Sequence, residues 1–222
     1  MTPDITFLGH AGFLLSDGSY TIAVDPFLTG NPIAVHQPDQ IKCQYVALTH
    51  GHADHFGDTL HIAKANNATV IAAFELCNYC NQQGITNTEP GNPGGRIYTP
   101  FGFIGFTPAF HSSSYDGCYM GQPTGLIINI AGISFYHAGD TALFSDMKLI
   151  GQIEKPLVAA IPVGDRFTMS PRTGSMAAEF VKPEIAIPIH YKTFPLLNDD
   201  IAEFKPHGVQ VKILEPGQTL TL

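Results

Sequence analysis

The chain has 222 residues, 44% of them hydrophobic, and a formal net charge of -8 from 19 acidic and 11 basic residues. That length and apolar content suffice to bury a full core, which excludes a disordered chain, and no run of about eighteen apolar residues is present to span a membrane. The acidic balance, without any basic cluster, argues against a polyanionic partner such as nucleic acid and for a small-molecule substrate.

One domain over residues 1–222 is expected. The opening MTPDITFLGH carries Asp4 and no basic segment ahead of its apolar stretch, so it does not read as a secretory signal, and a cytoplasmic location is expected. Charged residues make up 14%, below the roughly 25% of ordinary domains, and 22 glycines and 17 prolines predict many turn-rich connections.

In chain order, ITFLGHAGFLLS and SYTIAVDPF flank Asp17-Gly18, a dipeptide suited to a tight hairpin turn, so the chain opens with β structure. Tyr45 to Thr49 reads as a short strand, GDTLHIAKANNA has helical spacing, TVIAAF is a strand, and AAFELCNYCNQQG is a helix. From Arg96 to Asp140 the pattern changes to β runs, RIYTPFGFIGFTPAFH, TGLIINI and ISFYHAGD, with Ala131-Gly132 turning the last pair. The remainder predicts a strand LVAAIPVG, a helix with Ser170 as N-cap and Pro171 at its first position, a strand EIAIPIHY, a helix around Leu197 to Phe204, and a closing strand VQVKIL. Strands in two groups, each followed by helices, imply two sheets packed face to face with helices outside, an αββα sandwich of the α/β class. The four cysteines, Cys43, Cys77, Cys80 and Cys118, do not form two spaced pairs; Cys77 and Cys80 read as buried helical cysteines rather than a zinc knuckle.

The chemistry concentrates in LTHGHADHF, residues 48–56, which places three histidines and an aspartate directly after an apolar strand. Four apolar runs end in a potential ligand: VALTH at His50, TPAFH at His111, ISFYHAGD at Asp140 and IAIPIH at His190. A residue leaving a strand end sits on a loop held by a rigid sheet, which is how ligands distant in sequence converge on one edge. His50 and His52, two apart in extended chain, project to one side and can grip one ion, with His111 as the third histidine. Asp54 and His55 cannot easily join that shell; a second ion, with His190 as a further neutral donor, accommodates them. Two dications repel, and Asp140 is the obvious carboxylate to bridge them.

At these residues the sequence resembles the metallo-β-lactamase superfamily. THGHADHFGD matches its HxHxDH signature, and Asp25, the HxHxDH block, His111, Asp140 and His190 follow its order of motifs across nearly the whole chain. GHAGFLL with VDPFLTGNP, and PIHYKTFP near the end, look like a branch of small metal-dependent hydrolases related to ascorbate-6-phosphate lactonases. The resemblance implies His50, His52 and His111 at one metal, Asp54, His55 and His190 at the other, and Asp140 bridging. It implies that Asp25 orients ligands without touching an ion, and that Asp54 accepts a proton from the attacking water. The carboxylate at Asp140, where zinc β-lactamases carry a cysteine, argues against antibiotic hydrolysis. Ala53, where an oxygen-reducing diiron branch has a glutamate ligand, argues against redox chemistry.

Two ions of this kind lower the pKa of a bound water to about 7 and polarise the oxygen under attack, so the expected activity is hydrolysis of a small ester, lactone or phosphoester. Zinc suits the donors; manganese, iron(II) or nickel are compatible. Nucleic-acid phosphodiester cleavage is a second reading, which predicts a basic channel or an added domain, and a non-catalytic metal-binding protein is a third. His10 in LGHAG and His137, three before Asp140, are further catalytic candidates, each with an alternative structural role. Asn31, Tyr191 and Lys192 are weaker candidates for substrate contact, while His36, His61 and His207 read as surface or packing residues. A homo-oligomer is compatible with the sequence.

Overall fold

The structure, a computed structural model, describes residues 2–222. Strands β1 (Asp4–Gly9), β2 (Gly12–Ser16), β3 (Thr21–Val24), β4 (Tyr45–Ala47), β5 (Thr69–Ala73) and β6 (Thr88–Gly91) lie side by side in one sheet. Next come β7 (Arg96–Thr99), β8 (Gly102–Pro108), a small hairpin of β9 (Ser114–Tyr115) and β10 (Cys118–Tyr119), then β11 (Thr124–Ile130), β12 (Ile133–His137), β13 (Val158–Pro162), β14 (Ile185–Ile189) and β15 (Gln210–Val211). Apart from the hairpin, these form the second sheet, while β16 (Thr219–Thr221) returns to the first beside β1.

Both sheets follow one plan. Each begins antiparallel, β1 to β3 and β7 to β12, where glycine-bearing turns such as Asp17-Gly18 and Ala131-Gly132 suffice to reverse the chain. Each continues parallel, β3 to β6 and β12 to β15, where the chain must cross back over the sheet. Four of those crossovers carry helices: α1 (Ala53–Phe56) with α2 (Thr59–Asn66), α3 (Phe74–Gln82), α4 (Met147–Glu154) and α5 (Pro171–Val181). As the sequence predicts, Ser170 caps α5, its hydroxyl accepting the Thr173 amide at 3.2 Å, and Pro171 takes the first helical position.

The burial pattern confirms four layers. Phe13, Ile22, Val24 and Ile71 of the first sheet meet Leu126, Ile128, Phe135 and Ile187 of the second between the sheets. The alternate residues Ile127 and Tyr136 point the other way, against Met147, Ile150, Ala177 and Val181 of α4 and α5. On the far side, Val46 and Val70 pack on Ile62, Leu76, Cys77 and Cys80 of α2 and α3, so the two cysteines are core residues, buried and free. No described helix is long and apolar enough to cross a membrane.

Two expectations fail near the C-terminus. The stretch Leu197 to Phe204 is turns, not a helix. There the side chains of Asn198 and Asp200 accept the amides of Asp200 and Ala202, at 3.2 and 2.9 Å, offering the backbone a partner that a helix would have to displace. The run VQVKIL forms only the two-residue β15 on β14, because the turn at Pro216-Gly217 carries the chain to the other sheet, where the Gly217 amide reaches the Phe7 carbonyl at 2.7 Å. Helix α4, not among the expectations although MKLIGQIE places Met147 and Ile150 three apart on its buried face, meets α5 at a glycine: a Cβ at Gly151 would collide with the Val181 carbonyl, so only glycine lets the two helices close. Gly151→Ala should therefore destabilise the protein by about 1–3 kcal/mol in urea unfolding, while bound metal, measured by elemental analysis, stays at the wild-type level.

Candidate metal centre

The parallel strands deliver the site. Asp25 directly follows β3, His50 lies three residues past β4, Asp140 three past β12, and His190 immediately follows β14, so four of the predicted residues leave the carboxyl ends of parallel strands. That edge is where α/β sheets collect ligands, because the crossover loops start there. His111 reaches the same place from the loop after β8, and His52, Asp54 and His55 from the N-cap and single turn of α1.

Hydrogen bonds fix how the rings face. Asp25 is 0% exposed and accepts the Thr49 amide at 2.8 Å, the Thr49 hydroxyl at 2.6 Å and His55 Nδ1–H at 2.7 Å. With its proton given to Asp25, Thr49 Oγ1 accepts His50 Nδ1–H at 3.0 Å. His52 donates from Nε2 to Ser112 Oγ at 3.3 Å. His50 and His55 are thereby left with a bare Nε2, and His52 with a bare Nδ1.

Those bare nitrogens converge. His52 Nδ1 lies 3.0 Å from His50 Nε2 and 3.2 Å from His111 Nε2. For His50 and His52 the lone pairs cannot bond one another, and all these separations approach the roughly 3.4 Å of a tetrahedral shell with metal–nitrogen bonds near 2.1 Å. Beside this trio, His55 Nε2 and Asp140 Oδ1 stand 3.2 Å apart, both buried without a hydrogen-bond partner, an orphaned pair that a cation would satisfy. His190 Nε2 lies 3.0 Å from Asp140 Oδ2 and 3.6 Å from Asp54 Oδ2, and His111 Nε2 is 3.5 Å from Asp140 Oδ2. The donors fall into His50, His52 and His111; His10, Asp54, His55 and His190; and a linking set of His50, His55 and Asp140, each with ligand atoms within 4.8 Å. All seven predicted ligands are thus brought together, with Asp140 between the two groups.

The electrostatics suit a cation. Burial holds His50 well below the ordinary histidine range, and burial also lowers His52 and His111, so the trio is neutral and its lone pairs are free. At His55 and His190 burial acts in the same direction but is outweighed, mainly by Asp140; His190 is pushed up to about 9 and His55 well above its usual value, so without an ion each holds a second proton, which a cation binding at the ring nitrogen facing Asp140 would displace. Against their own burial, Asp140 and Asp54 are held well below the carboxylate range by these histidines, with His10 acting on Asp54 first.

His10 departs from its expected role. It is 1% exposed, lowered to about 4 by burial and then by His190, and hence neutral. Its Nε2–H donates to Asp54 Oδ2 at 3.1 Å while Nδ1 accepts the Thr193 hydroxyl at 2.9 Å, so it holds Asp54 rather than facing substrate. The catalytic expectation for His137 is corrected outright: fully buried, it donates from Nε2 to the Ala11 carbonyl at 2.7 Å and accepts the Gly139 amide on Nδ1 at 3.0 Å, leaving nothing for a substrate. Asn31 is spent on its own turn, bonding the Phe27 carbonyl and the Ile33 amide. Tyr191 and Lys192 line a separate small cleft beside Phe7, and His61 pairs with Asp39 at the surface.

A cavity of about 360 Å³ opens onto the donors, lined by five of them together with Ser112 and Phe167. A larger one, about 670 Å³, lies between the ends of α4 and α5 and contains none of these histidines. Thr49, Ser112, Thr193 and Phe167 were not singled out from the sequence. Thr49 and Ser112 each adjoin a proposed ligand and Thr193 lies within PIHYKTFP, whereas Phe167 carries no signal in the sequence.

Two mixed sheets with outer helices and a histidine–aspartate cluster on their strand ends define a protein of the metallo-β-lactamase type, and the family model for the β-lactamase superfamily domain matches residues 4–190. A UPF0173 metal-dependent hydrolase from Carboxydothermus hydrogenoformans is 44% identical over 225 residues, covering 98% of this chain and 99% of its own. Igni18, a metallo hydrolase from the archaeon Ignicoccus hospitalis, superposes with a TM-score of 0.91 at 36% identity, covering 100% of this chain and 99% of its own. An isothiocyanate hydrolase from Delia radicum gut bacteria, at 19% identity and a TM-score of 0.77, covers 99% of this chain and 98% of its own and shares the fold. The chain belongs to the UPF0173 family of metal-dependent hydrolases within the β-lactamase superfamily.

Because Asp25 orients two ligands at once, Asp25→Ala should weaken metal binding about 10- to 100-fold. Competition against a chromophoric chelator measures this, and an unchanged affinity would show that His50 and His55 hold their orientation without it.

Proposed function

We propose that the protein hydrolyses a small ester, lactone or phosphoester with two divalent ions, zinc being the ion its donors suit best. The observation that carries this reading is the orphaned pair of His55 Nε2 and Asp140 Oδ1 beside the Nε2 atoms of His50 and His111 converging on His52 Nδ1. When bound, such ions acidify a water into a nucleophile and polarise the substrate oxygen under attack.

The chain's own groups supply the rest. Asp54, its side chain 28% exposed, is the more open of the two carboxylates that line the cavity and is held by buried His10, so it is placed to take the proton of the attacking water and return it to the leaving group. Asp140, almost fully buried between His55 and His190, supplies charge rather than proton transfer. Ser112 accepts from His52 Nε2–H and keeps its own hydroxyl proton free for an oxygen in the cavity. No serine or cysteine nucleophile is required.

His52→Ala and Asp140→Ala should each lower bound metal below about two equivalents and reduce hydrolysis to background, since an incomplete shell is exposed. Chelation should abolish activity, and added zinc or manganese should restore it. Elemental analysis together with a panel of phosphodiesters, lactones and thioesters tests the assignment; full metal occupancy in both variants would defeat it.

A further inference from the structure

Building on the hydrolytic reading, we propose that the site is made for an uncharged carboxylic ester or lactone whose apolar acyl part lies against Phe167, and not for a phosphoester.

The cavity wall motivates this. Besides the donor residues it consists of Ser112 and Phe167, and among the described residues no lysine or arginine lines it, although the chain has 11 of them. Sites that recognise phosphoryl groups ordinarily present guanidinium or ammonium donors for the non-bridging oxygens. Here the lining offers three imidazoles and two carboxylates of the donor cluster, one hydroxyl and an aromatic ring. A neutral acyl group meets no charge repulsion from Asp54, whereas an anionic substrate finds no lysine or arginine in the lining itself; the adjacent Arg166 guanidinium is placed over the Phe167 ring, 5.7 Å from its centroid.

Phe167 is also placed with unusual firmness for an exposed aromatic side chain. It is 51% exposed at the tip of a turn closed by the Thr168 amide on the Asp165 carbonyl at 2.7 Å and by the Asp165 amide on the Met169 carbonyl at 2.9 Å. Turn tips favour glycine, asparagine, aspartate, proline or serine, so a phenylalanine there needs a reason beyond turn formation. The base of this turn rides on the metal cluster: a Cβ at Gly164 would collide with the His190 carbonyl, and the Asn198 amide donates to the Gly164 carbonyl at 3.0 Å. The ring is therefore indexed to His190, as a substrate-positioning group must be. A second apolar element lies on the loops carrying other ligands: Phe110, 62% exposed and adjacent to His111, packs on Phe144 at 5.1 Å, four residues beyond Asp140. A cavity of about 360 Å³ suits a small acyl compound.

In the reaction water adds to the acyl carbon and the C–O bond to the alcohol breaks. Asp54 takes a proton from the water and returns it to the departing alkoxide. The products are an acid and an alcohol, or one hydroxy acid from a lactone, and no oxidant or reductant is needed.

Metal-loaded protein, its Phe167→Ala variant and its Phe167→Leu variant should be compared on p-nitrophenyl acetate, p-nitrophenyl hexanoate and bis-p-nitrophenyl phosphate. In parallel, calorimetry should measure binding of acetohydroxamic and hexanohydroxamic acids. The expected result is kcat/KM about tenfold higher for hexanoate than for acetate, phosphodiester turnover below both, and a similar preference between the hydroxamates. Phe167→Ala should erase the chain-length preference in rate and affinity with bound metal unchanged, and Phe167→Leu should keep most of it. Faster turnover of the phosphodiester, or a chain-length preference intact in Phe167→Ala, would overturn the proposal. If none of the three substrates turns over with metal bound, the hydrolytic reading itself fails, and the hydroxamate pair still decides the pocket: equal affinities count against Phe167, a lost preference in Phe167→Ala counts for it.

Discussion

The site depends on one buried carboxylate. Asp25 has no access to water, so its charge is tolerable only because both oxygens are bonded, one to the Thr49 amide and the other to the Thr49 hydroxyl and His55 Nδ1–H. Those same bonds set the proton on the far side of His55 and, through Thr49 Oγ1, of His50. A single acceptor with fixed geometry thus decides that two imidazoles from different elements offer Nε2 to the same space. Were Asp25 neutral or displaced, each ring would be free to flip, and the lone pairs that define the cluster would no longer be aimed.

Around it the backbone is bent into conformations that side chains usually avoid. His10, Asp25 and His190 all have positive φ, 57°, 42° and 57°, although none is glycine. Each leaves a strand and must turn at once to present its side chain at the sheet edge rather than run on past it. These bends are supported from outside: the His190 amide donates to the His10 carbonyl at 2.8 Å, tying the end of β14 in one sheet to the end of β1 in the other, and Gly164 leaves room beneath His190. Strain held in this way is a common mark of a prearranged site.

The fold and the clustering of the seven candidate side chains were legible in the sequence for the same reason. Strand ends at His50, Asp140 and His190 follow apolar runs that only a buried parallel strand explains, and the HxHxDH spacing is too specific to leave many geometries open. What the sequence hid was pairing over long distances. The Thr193 hydroxyl on His10 spans 183 positions, and the His137 bond to Ala11 spans 126. From composition alone, His10 and His137 look alike, a histidine near a turn beside the motif; only tertiary packing sends one to Asp54 and the other into the core. The Leu197 to Phe204 segment belongs to the same class, local helical spacing overruled by side-chain hydrogen bonds to the backbone.

Each half of the molecule contributes to both donor groups. His50 and His52 come from the first sheet's crossover and His111 from the second sheet, while His10, Asp54 and His55 of the first half meet His190 of the second across Asp140. Between the sheets the apolar core is non-directional and tolerates sliding, and the polar ties across it, such as the His190 amide on the His10 carbonyl and His137 on the Ala11 carbonyl, are few. A bound cation would add direction at the open edge of that core and clamp the halves in one register, contributing roughly 2.7 kcal/mol of stability at a hundredfold excess over its dissociation constant. Metal binding, sheet packing and placement of the Phe167 turn would then be one coupled equilibrium, because His190 is at once a candidate ligand, the residue at the end of β14 and the seat on which Gly164 rests.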